Sequence, residues 1–321
     1  MHTGTLASQK TRIASITVAF NPDPMRLAAQ LAALGDQVDE IIVVDNGSVP
    51  SIRGLFAQPA IAALVGGKPD IFFIDLQENL GVASGFNIGV EASRKGGAEF
   101  VLLLDQDSVP ATDMVRKLYA GYQQAASEGV ANTVAAVGPR IVDSRDRHDY
   151  PFIRLGWIRN QHIRCNDSQG QIIACDFLIS SGALISISAF DNIGRFDDGL
   201  FIDSVDFEWC CRARARQFSL YGVCDAELDH RLGDERRTVF NSMKMVVHSP
   251  LRVYYQTRNR IVLYRRGYLP LKWKLKDVLR MTGRLLTIMM LVAPRLEYLR
   301  MSILGFRDGV ANRGGKLRAR R

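Results

Sequence analysis

The chain has 321 residues, 47% of them apolar and 23% charged, which is enough to bury one large core and excludes wholesale disorder. Its net charge of +8 is unevenly placed: residues 251–321 carry 18 Lys/Arg against 3 Asp/Glu, which leaves −7 for residues 1–250. A basic tail on an acidic body suits an anionic partner, and charge alone fits a nucleic acid and an anionic membrane surface equally. The start of the chain lacks an apolar stretch behind a basic segment, so it does not read as a secretion signal. The longest apolar run, Leu285–Ala293, is too short to cross a bilayer, which takes about 20 residues. The cysteines (Cys165, Cys175, Cys210, Cys211 and Cys224) show no C-x-x-C spacing and read as reduced, structural thiols of a cytoplasmic protein.

In chain order, runs at Ile13–Phe20, Glu40–Asp45, Ile71–Ile74, Phe100–Leu104 and Thr133–Val137 are β-branched or Leu-rich and apolar, as in strands covered on both faces. Helices are expected between them at Pro24–Leu34, opened by Asp23 with Pro at the first helical position, and at Ser84–Lys95 and Thr112–Ala126. This alternation predicts an α/β fold with a Rossmann-like, mostly parallel sheet flanked by helices. Asp143–Gln171 is polar and irregular. An apolar block, Ile172–Ile187, then leads to a helix at Ser204–Gln217 and a short strand at Ser219–Cys224. Beyond Asp234 the pattern turns helical through Gly267, and Pro270 and Pro294 bracket two amphipathic helices reaching about Phe306. The end, NRGGKLRARR, reads as disordered. The body is taken as residues 1–267, with 268–321 as a basic helical appendage. In that appendage Trp273, Leu275, Val278 and Leu279 stand against Lys272, Lys274, Lys276 and Arg280, a pattern suited to a helix lying in a membrane interface. The alternative is a helix pair packed on the body or forming a dimer contact.

Open α/β sheets bind ligands at the carboxyl ends of their strands, and four motifs fall there. VVDNGS ends the second strand at Asp45, where a carboxylate could meet a base or ribose; a plain turn is the other reading. ENLGVASGFNIG (78–89) repeats glycine every four residues, so one helix face admits close approach by a ligand or by a strand. It lacks the G-x-G-x-x-G spacing of a dinucleotide fold. LLLDQDSVP sets Asp105 and Asp107 directly after an apolar strand, where paired carboxylates can hold a hard divalent cation against a diphosphate. Phe196–Arg212 places Asp203, Asp206 and Glu208 around a helix start, either as dipole partners or as a general base with neighbouring carboxylates. Downstream, His230 could complete a mixed O/N metal site. Arg252, Arg258 and Arg260, with Tyr254 and Tyr255, suit diphosphate recognition or a solvated basic face.

In this order, VAFNPD, VDNGS, ENLGVASGFNIG, DQD, SSGAL, FIDSVDFEWC, HRLGD and RVYYQTRNR resemble the family 2 glycosyltransferases of the GT-A fold, and within them the bacterial rhamnosyltransferases, from about Ile16 to Gly267. The resemblance implies an inverting, metal-dependent transfer of a sugar to a saccharide or lipid-linked saccharide in cell-surface polysaccharide synthesis. The implied donor is dTDP-L-rhamnose or another nucleotide sugar such as UDP-galactofuranose. Residues 13–140 would form the nucleotide-sugar half, and 141–267 the acceptor and base half. Ala19, Phe20, Asn21, Asp45, Asn79, Gly81, Gly85, Asn87, Asp105, Arg252, Tyr255 and Arg258 would meet the donor. Asp105, Asp107 and His230 would hold Mg²⁺ or Mn²⁺. Many relatives read Glu-Asp-x-Asp where this chain has Val205-Asp206-Phe207-Glu208. That assigns the catalytic base to Asp206, with Asp203 in reserve. The implied setting is cytoplasmic, at the inner leaflet of a membrane through the C-terminal helices, with no nucleic acid and with a homodimer as an open option. A catalytically silent sugar-nucleotide-binding scaffold is the rival reading. A nucleotidyltransferase would need a phosphate loop where this chain has NPDP.

Overall fold

In the computed structural model the described residues are 10–65, 71–128, 133–143, 145, 148–166, 168–230, 236–239, 243–246 and 248–317. The first half alternates as its apolar runs require. β1 (Ile13–Ala19), α1 (Pro24–Leu34) and β2 (Glu40–Asp45) are followed by α2 (Ile52–Phe56), α3 (Pro59–Val65) and β3 (Ile71–Asp75). Next come α4 (Val82–Lys95), β4 (Phe100–Asp105), the two-residue β5 (Val109–Pro110), α5 (Met114–Glu128) and β6 (Val134–Asp143). Asp23 caps α1, its carboxylate accepting from the amides of Met25 and Arg26. β1 is buried at every position, as a central strand must be.

The polar stretch after β6 forms short strands β7 (His148–Tyr150), β8 (Phe152–Arg154) and β9 (Gln161–Ile163) rather than an irregular loop. The apolar block 172–187 is not one element. It divides into β10 (Ile172–Cys175), β11 (Leu184–Ser186) and the first turn of α6 (Ile187–Ile193), with a turn at Gly182 (φ +85°) ahead of β11. A 3₁₀ turn at Asp198–Leu200, α7 (Val205–Ala215) and β12 (Ser219–Asp229) follow.

The main sheet runs β10-β12-β6-β11-β4-β1-β2-β3, with β5 on β12 and β7 on β6. Strands β4, β1, β2 and β3 are parallel, as is the β6–β12 pair. β11 lies antiparallel between β4 and β6, so the sheet is mixed rather than mostly parallel. Both faces are covered, one by α4, α6 and α7, the other by α1 and α5.

Past β12 the expected helix from residue 235 is replaced by a hairpin, β13 (Arg236–Val239) against β14 (Met243–Val246); residues 235, 240–242 and 247 lie outside the described set. Helix begins only where Ser249 caps and Pro250 starts α8 (Pro250–Tyr264). α9 (Leu271–Leu291) and α10 (Arg295–Val310) complete the chain. Trp273 packs on Phe207 at 4.7 Å and Tyr264 at 5.8 Å between ring centroids, which seats the start of α9 on the body. The lysines expected to face lipid are committed elsewhere. Lys276 donates to Gly156 O and Asn160 Oδ1 (both 2.6 Å), Lys274 to Arg266 O (2.6 Å), and Lys272 to Leu155 O. No described helix is long and apolar enough to cross a membrane.

Two further expectations change. Cys165 and Cys224 are joined in a disulfide, with Cα atoms 5.5 Å apart, while Cys175, Cys210 and Cys211 are free and buried. The spacing rule that suggested five thiols looks only at near neighbours, and this pair is 59 residues apart. Residues 312–317, expected to be disordered, return over the body. Gly315 N donates to Gly199 O (2.8 Å) and Leu317 N to the Tyr255 hydroxyl (2.9 Å). Residues 318–321 lie outside the described set.

Candidate active site

A cleft of about 530 Å³ opens where β1 and β4 end, walled by the residue 201–206 loop, by Ser180 and by α8. Asp105 is the last residue of β4, and Asp107 follows in the turn to β5. Gln30, on α1, holds that turn by donating to Asp105 O and Ser108 O (2.6 Å each), and Arg26 Nε donates to Asp107 O (2.6 Å). Both carboxylates are left free to face the cleft.

His230, at the end of β12, reaches the same point. Its Nε2 lies 3.8 Å from Asp105 Oδ2 and its Nδ1 3.6 Å from Asp107 Oδ1. One ligand atom from each residue fits within 4.8 Å of the others, which suits a divalent cation bound by two carboxylates and an imidazole. Ser108 Oγ lies 2.9 Å from His230 Nδ1 and is hydrogen-bonded to Ser181 Oγ, which accepts from Asp105 N at 3.3 Å. This outer layer orients the imidazole and leaves Nε2 toward Asp105. Although 38% of its side chain is open to the cleft, Asp105 has its pKa raised, first by burial of the carboxyl. His230 opposes the shift, Asp107 adds to it and Arg252 opposes it. A cation would relieve that repulsion.

Facing this trio, Asp206 stands in the first turn of α7. Its Oδ2 accepts from Ser180 N (3.3 Å) and its Oδ1 from Phe207 N (2.7 Å). Burial, followed by the charges of Asp105 and Asp203, outweighs those bonds and raises its pKa from 3.8 to about 6. Asp203 is held differently. Arg252 grips it through both oxygens, Nε to Oδ2 and Nη2 to Oδ1 at 3.1 Å each. Both oxygens of Asp203 are thus taken by a guanidinium, whereas those of Asp206 accept from backbone amides.

The cleft brings together Ala19, Phe20, Asn79, Gly81, Asp105, Asp107, Asp203, Asp206, His230 and Arg252. Gly81, at φ +89°, lies so close to Phe201 that a Cβ would meet its carbonyl oxygen at 2.5 Å. The other residues expected at the donor do not line this cleft. Asp45 spends both oxygens on the amides of Ser48 and Ile52 (2.8 Å each). Asn21 joins the same loop through Ser48 Oγ and Val49 N (2.9 Å each). Gly85 makes room for β1, since a Cβ there would come within 2.6 Å of Val18 Cγ1. Asn87 is buried and ties α4 to Phe196 and Asp198. Tyr255 stacks on Phe201 at 4.9 Å. Arg258 is 1% exposed and donates to the carbonyls of Gly199 (2.9 Å), Leu200 (2.8 Å) and Gly315.

Sequence reading missed Gln30, Ser108, Ser181 and Asn259. Asn259 Nδ2 donates to the carbonyls of Leu200 (3.0 Å), Ile202 (2.7 Å) and Asp203 (2.9 Å). Only its place in the TRNR run, beside Arg258, could have drawn notice.

The family profile described as glycosyl transferase family 2 matches residues 16–194, more than half of the chain. The dTDP-rhamnosyl transferase RfbF of Shigella flexneri is 28% identical over 304 residues, spanning 94% of this chain and 96% of that protein. The galactofuranosyltransferase GlfT1 of Mycolicibacterium smegmatis is 28% identical over 210 residues, 62% of this chain and 64% of its own length. Among solved structures, S. aureus TarS 1-349 in complex with UDP-GlcNAc superposes with a TM-score of 0.56 at 15% identity, covering 94% of this chain and 81% of that one, which is a likeness of fold. The chain belongs to glycosyl transferase family 2 and is a glycosyltransferase resembling the rhamnosyltransferases.

Proposed function

We propose that this glycosyltransferase moves L-rhamnose from dTDP-L-rhamnose, with inversion, onto a saccharide carried on a lipid, at the cytoplasmic face of a membrane. The observation that carries the reading is one cleft in which Asp206, a carboxylate with raised pKa, faces Asp105, Asp107 and His230. The choice of sugar is supported by the likeness to RfbF along nearly the whole of both chains. Donor contacts are assigned to Ala19, Phe20, Asn79, Gly81, Asp105 and Arg252, while Asn21, Asp45, Gly85, Asn87, Tyr255 and Arg258 hold the walls. In this division residues 13–140 carry the nucleotide sugar, 141–267 the acceptor and the base, and 268–321 the appendage.

Asp105, Asp107 and His230 would hold Mg²⁺ or Mn²⁺, which when bound supplies positive charge where the leaving diphosphate gathers negative charge. Asp206 takes the proton of the acceptor hydroxyl as that oxygen bonds to the anomeric carbon and the bond to the diphosphate breaks. Asp203 stays paired to Arg252 and fixes the loop beside the base. The membrane setting is supported by apolar residues on the outer side of α9 and α10, among them Leu279 (76% exposed) and Leu296 (82%).

The test incubates purified protein with dTDP-L-rhamnose, UDP-galactofuranose and other nucleotide sugars, with Mg²⁺ or Mn²⁺ and with EDTA. Metal-dependent release of dTDP from dTDP-L-rhamnose is expected. Preference for UDP-galactofuranose would replace the sugar, and no release from any donor would favour the silent scaffold.

A further inference from the structure

The helices α8, α9 and α10 enclose two features that the transfer chemistry does not use. One is a small cavity of about 50 Å³ whose walls include Arg260, Arg280, Arg284, Gln256 and Thr257. The other is a groove of about 480 Å³ lined by Ile261, Val278, Leu285, Leu299, Ile303 and Phe306. Thr257, Met281 and Leu285 border both, so the cationic cavity runs into the apolar groove.

The charges here do not cancel. Arg260 is paired with Asp277 (2.9 Å) and Arg252 with Asp203 (3.1 Å). Arg280 and Arg284 have no carboxylate partner among the described residues. Arg284 is half-buried, and burial first, then Arg260, lowers its pKa; Arg252 does the same and Asp203 opposes. A desolvated guanidinium among other guanidiniums gains from an anion, and phosphate oxygens match its fork. The groove beside it is open, with Val278 44%, Ile303 59% and Phe306 55% exposed. Arg252 and Asp203 belong to the wall of the cleft, and the cavity opens about one to two turns farther along α8, at Gln256, Thr257 and Arg260.

We propose that this cavity and groove bind the lipid end of the acceptor: a phosphate or diphosphate on Arg280 and Arg284, with its hydrocarbon chain along Val278, Ile303 and Phe306. The assignment rests on the transferase reading for the identity of the attached sugar, which would extend past Arg252 toward Asp206. An anionic ion alone would use the cavity and ignore the groove. A general membrane surface would respond to charge density and ignore the form of the phosphate.

The experiment co-sediments the full chain with phosphatidylcholine vesicles containing farnesyl diphosphate, or phosphatidylglycerol at matched surface charge. Farnesyl diphosphate vesicles should bind about tenfold or more tightly than the matched control. Arg284→Gln and Phe306→Asp should each remove most of that preference, Arg284→Lys should restore part of it, and circular dichroism should show all three folded. If one of them fails to fold, Arg280→Gln, at an exposed position, takes its place with the same expectation. Equal binding to the two vesicle types, displacement by inorganic diphosphate as effective as by farnesyl diphosphate, or an unchanged preference in folded Arg284→Gln would each overturn the inference. The vesicle readout needs no turnover, so it stands or falls apart from the transfer reaction.

Discussion

The two acidic pairs that face each other across the cleft are placed by opposite means. Asp105 and Asp107 inherit their position from β4, a buried strand whose last residue is Asp105, and from short bonds made by Gln30 and Arg26. Asp203 sits on backbone that no regular element would supply, and Asp206 opens α7 directly behind it. Phe201, Asp203 and Ser204 all have positive φ (64°, 63° and 65°), each costing about 1–3 kcal/mol for a residue with a side chain. That loop is held from outside, by Asn259 and Arg258 on α8 and by the returning tail through Gly315. The strand-end pair can therefore survive changes that displace Asp206.

The strongest test of this contrast is Asp107→Ala, which should lower turnover on the order of 10³-fold and weaken donor binding in Mn²⁺. Wild type treated with EDTA should behave alike, and full activity in either would remove the strand-end pair from the chemistry. Next, Asp206→Asn should cut kcat by about 10² or more while donor affinity, measured by titration, stays near wild type. If Asp203→Asn shows that pattern instead, the base is the residue gripped by Arg252. Asn259→Ala sharpens the comparison from a distance, because it frees three loop carbonyls and touches neither pair's side chains. A loss of roughly tenfold in kcat with little change in donor affinity is expected. Equal loss of donor affinity would mean the two sides are not held separately.

The smallest effects concern pH. Asp206 must be charged to accept a proton, so kcat should fall as pH drops through about 6, with a cation near Asp105 moving that limb lower. Folding works in the other sense. Since the folded pKa lies above the ordinary 3.8, the stability this group contributes is fully present below that value and is lost as pH rises through about 6. Asp206→Asn should thus raise the melting temperature by about 2 °C at pH 8 and leave it unchanged at pH 3. A lower melting temperature at pH 8 would contradict the burial that drives the shift.

The same contrast explains what could be read from residues alone. β1, β2 and β4 are continuous apolar runs, and a carboxylate at the end of such a run has one place to go, so the D-x-D pair was legible. Gly85 and Asn87 lie in the same motif as Gly81 yet serve packing; glycine spacing says that something comes close and not what, and here it is Val18. The support of His230 by Ser108 and Ser181 joins residues far apart in sequence, from turns that look ordinary. β11 was hidden inside an apolar block because direction within a sheet leaves no trace in hydropathy. The lysines of α9 formed a helical stripe, and the segment that claims Lys272 and Lys276, residues 155–160, showed no pattern of its own.

The clasp between Arg258, Gly199 and Gly315 also sets an order of events during synthesis. A ribosome releases the N-terminal part first, and domains begin to fold as they emerge. The strands β1 to β4 can pair as soon as residues up to Asp105 are free, and the strand-end carboxylates come with them. The loop at 197–206 is made well before the segment that closes over it, because Gly315, which donates to Gly199 O, follows more than a hundred residues later. A nascent enzyme would thus pass through a stage in which one side of the cleft is complete and the reactive side is not. The 197–206 loop is therefore closed only once residues 312–317 have followed it.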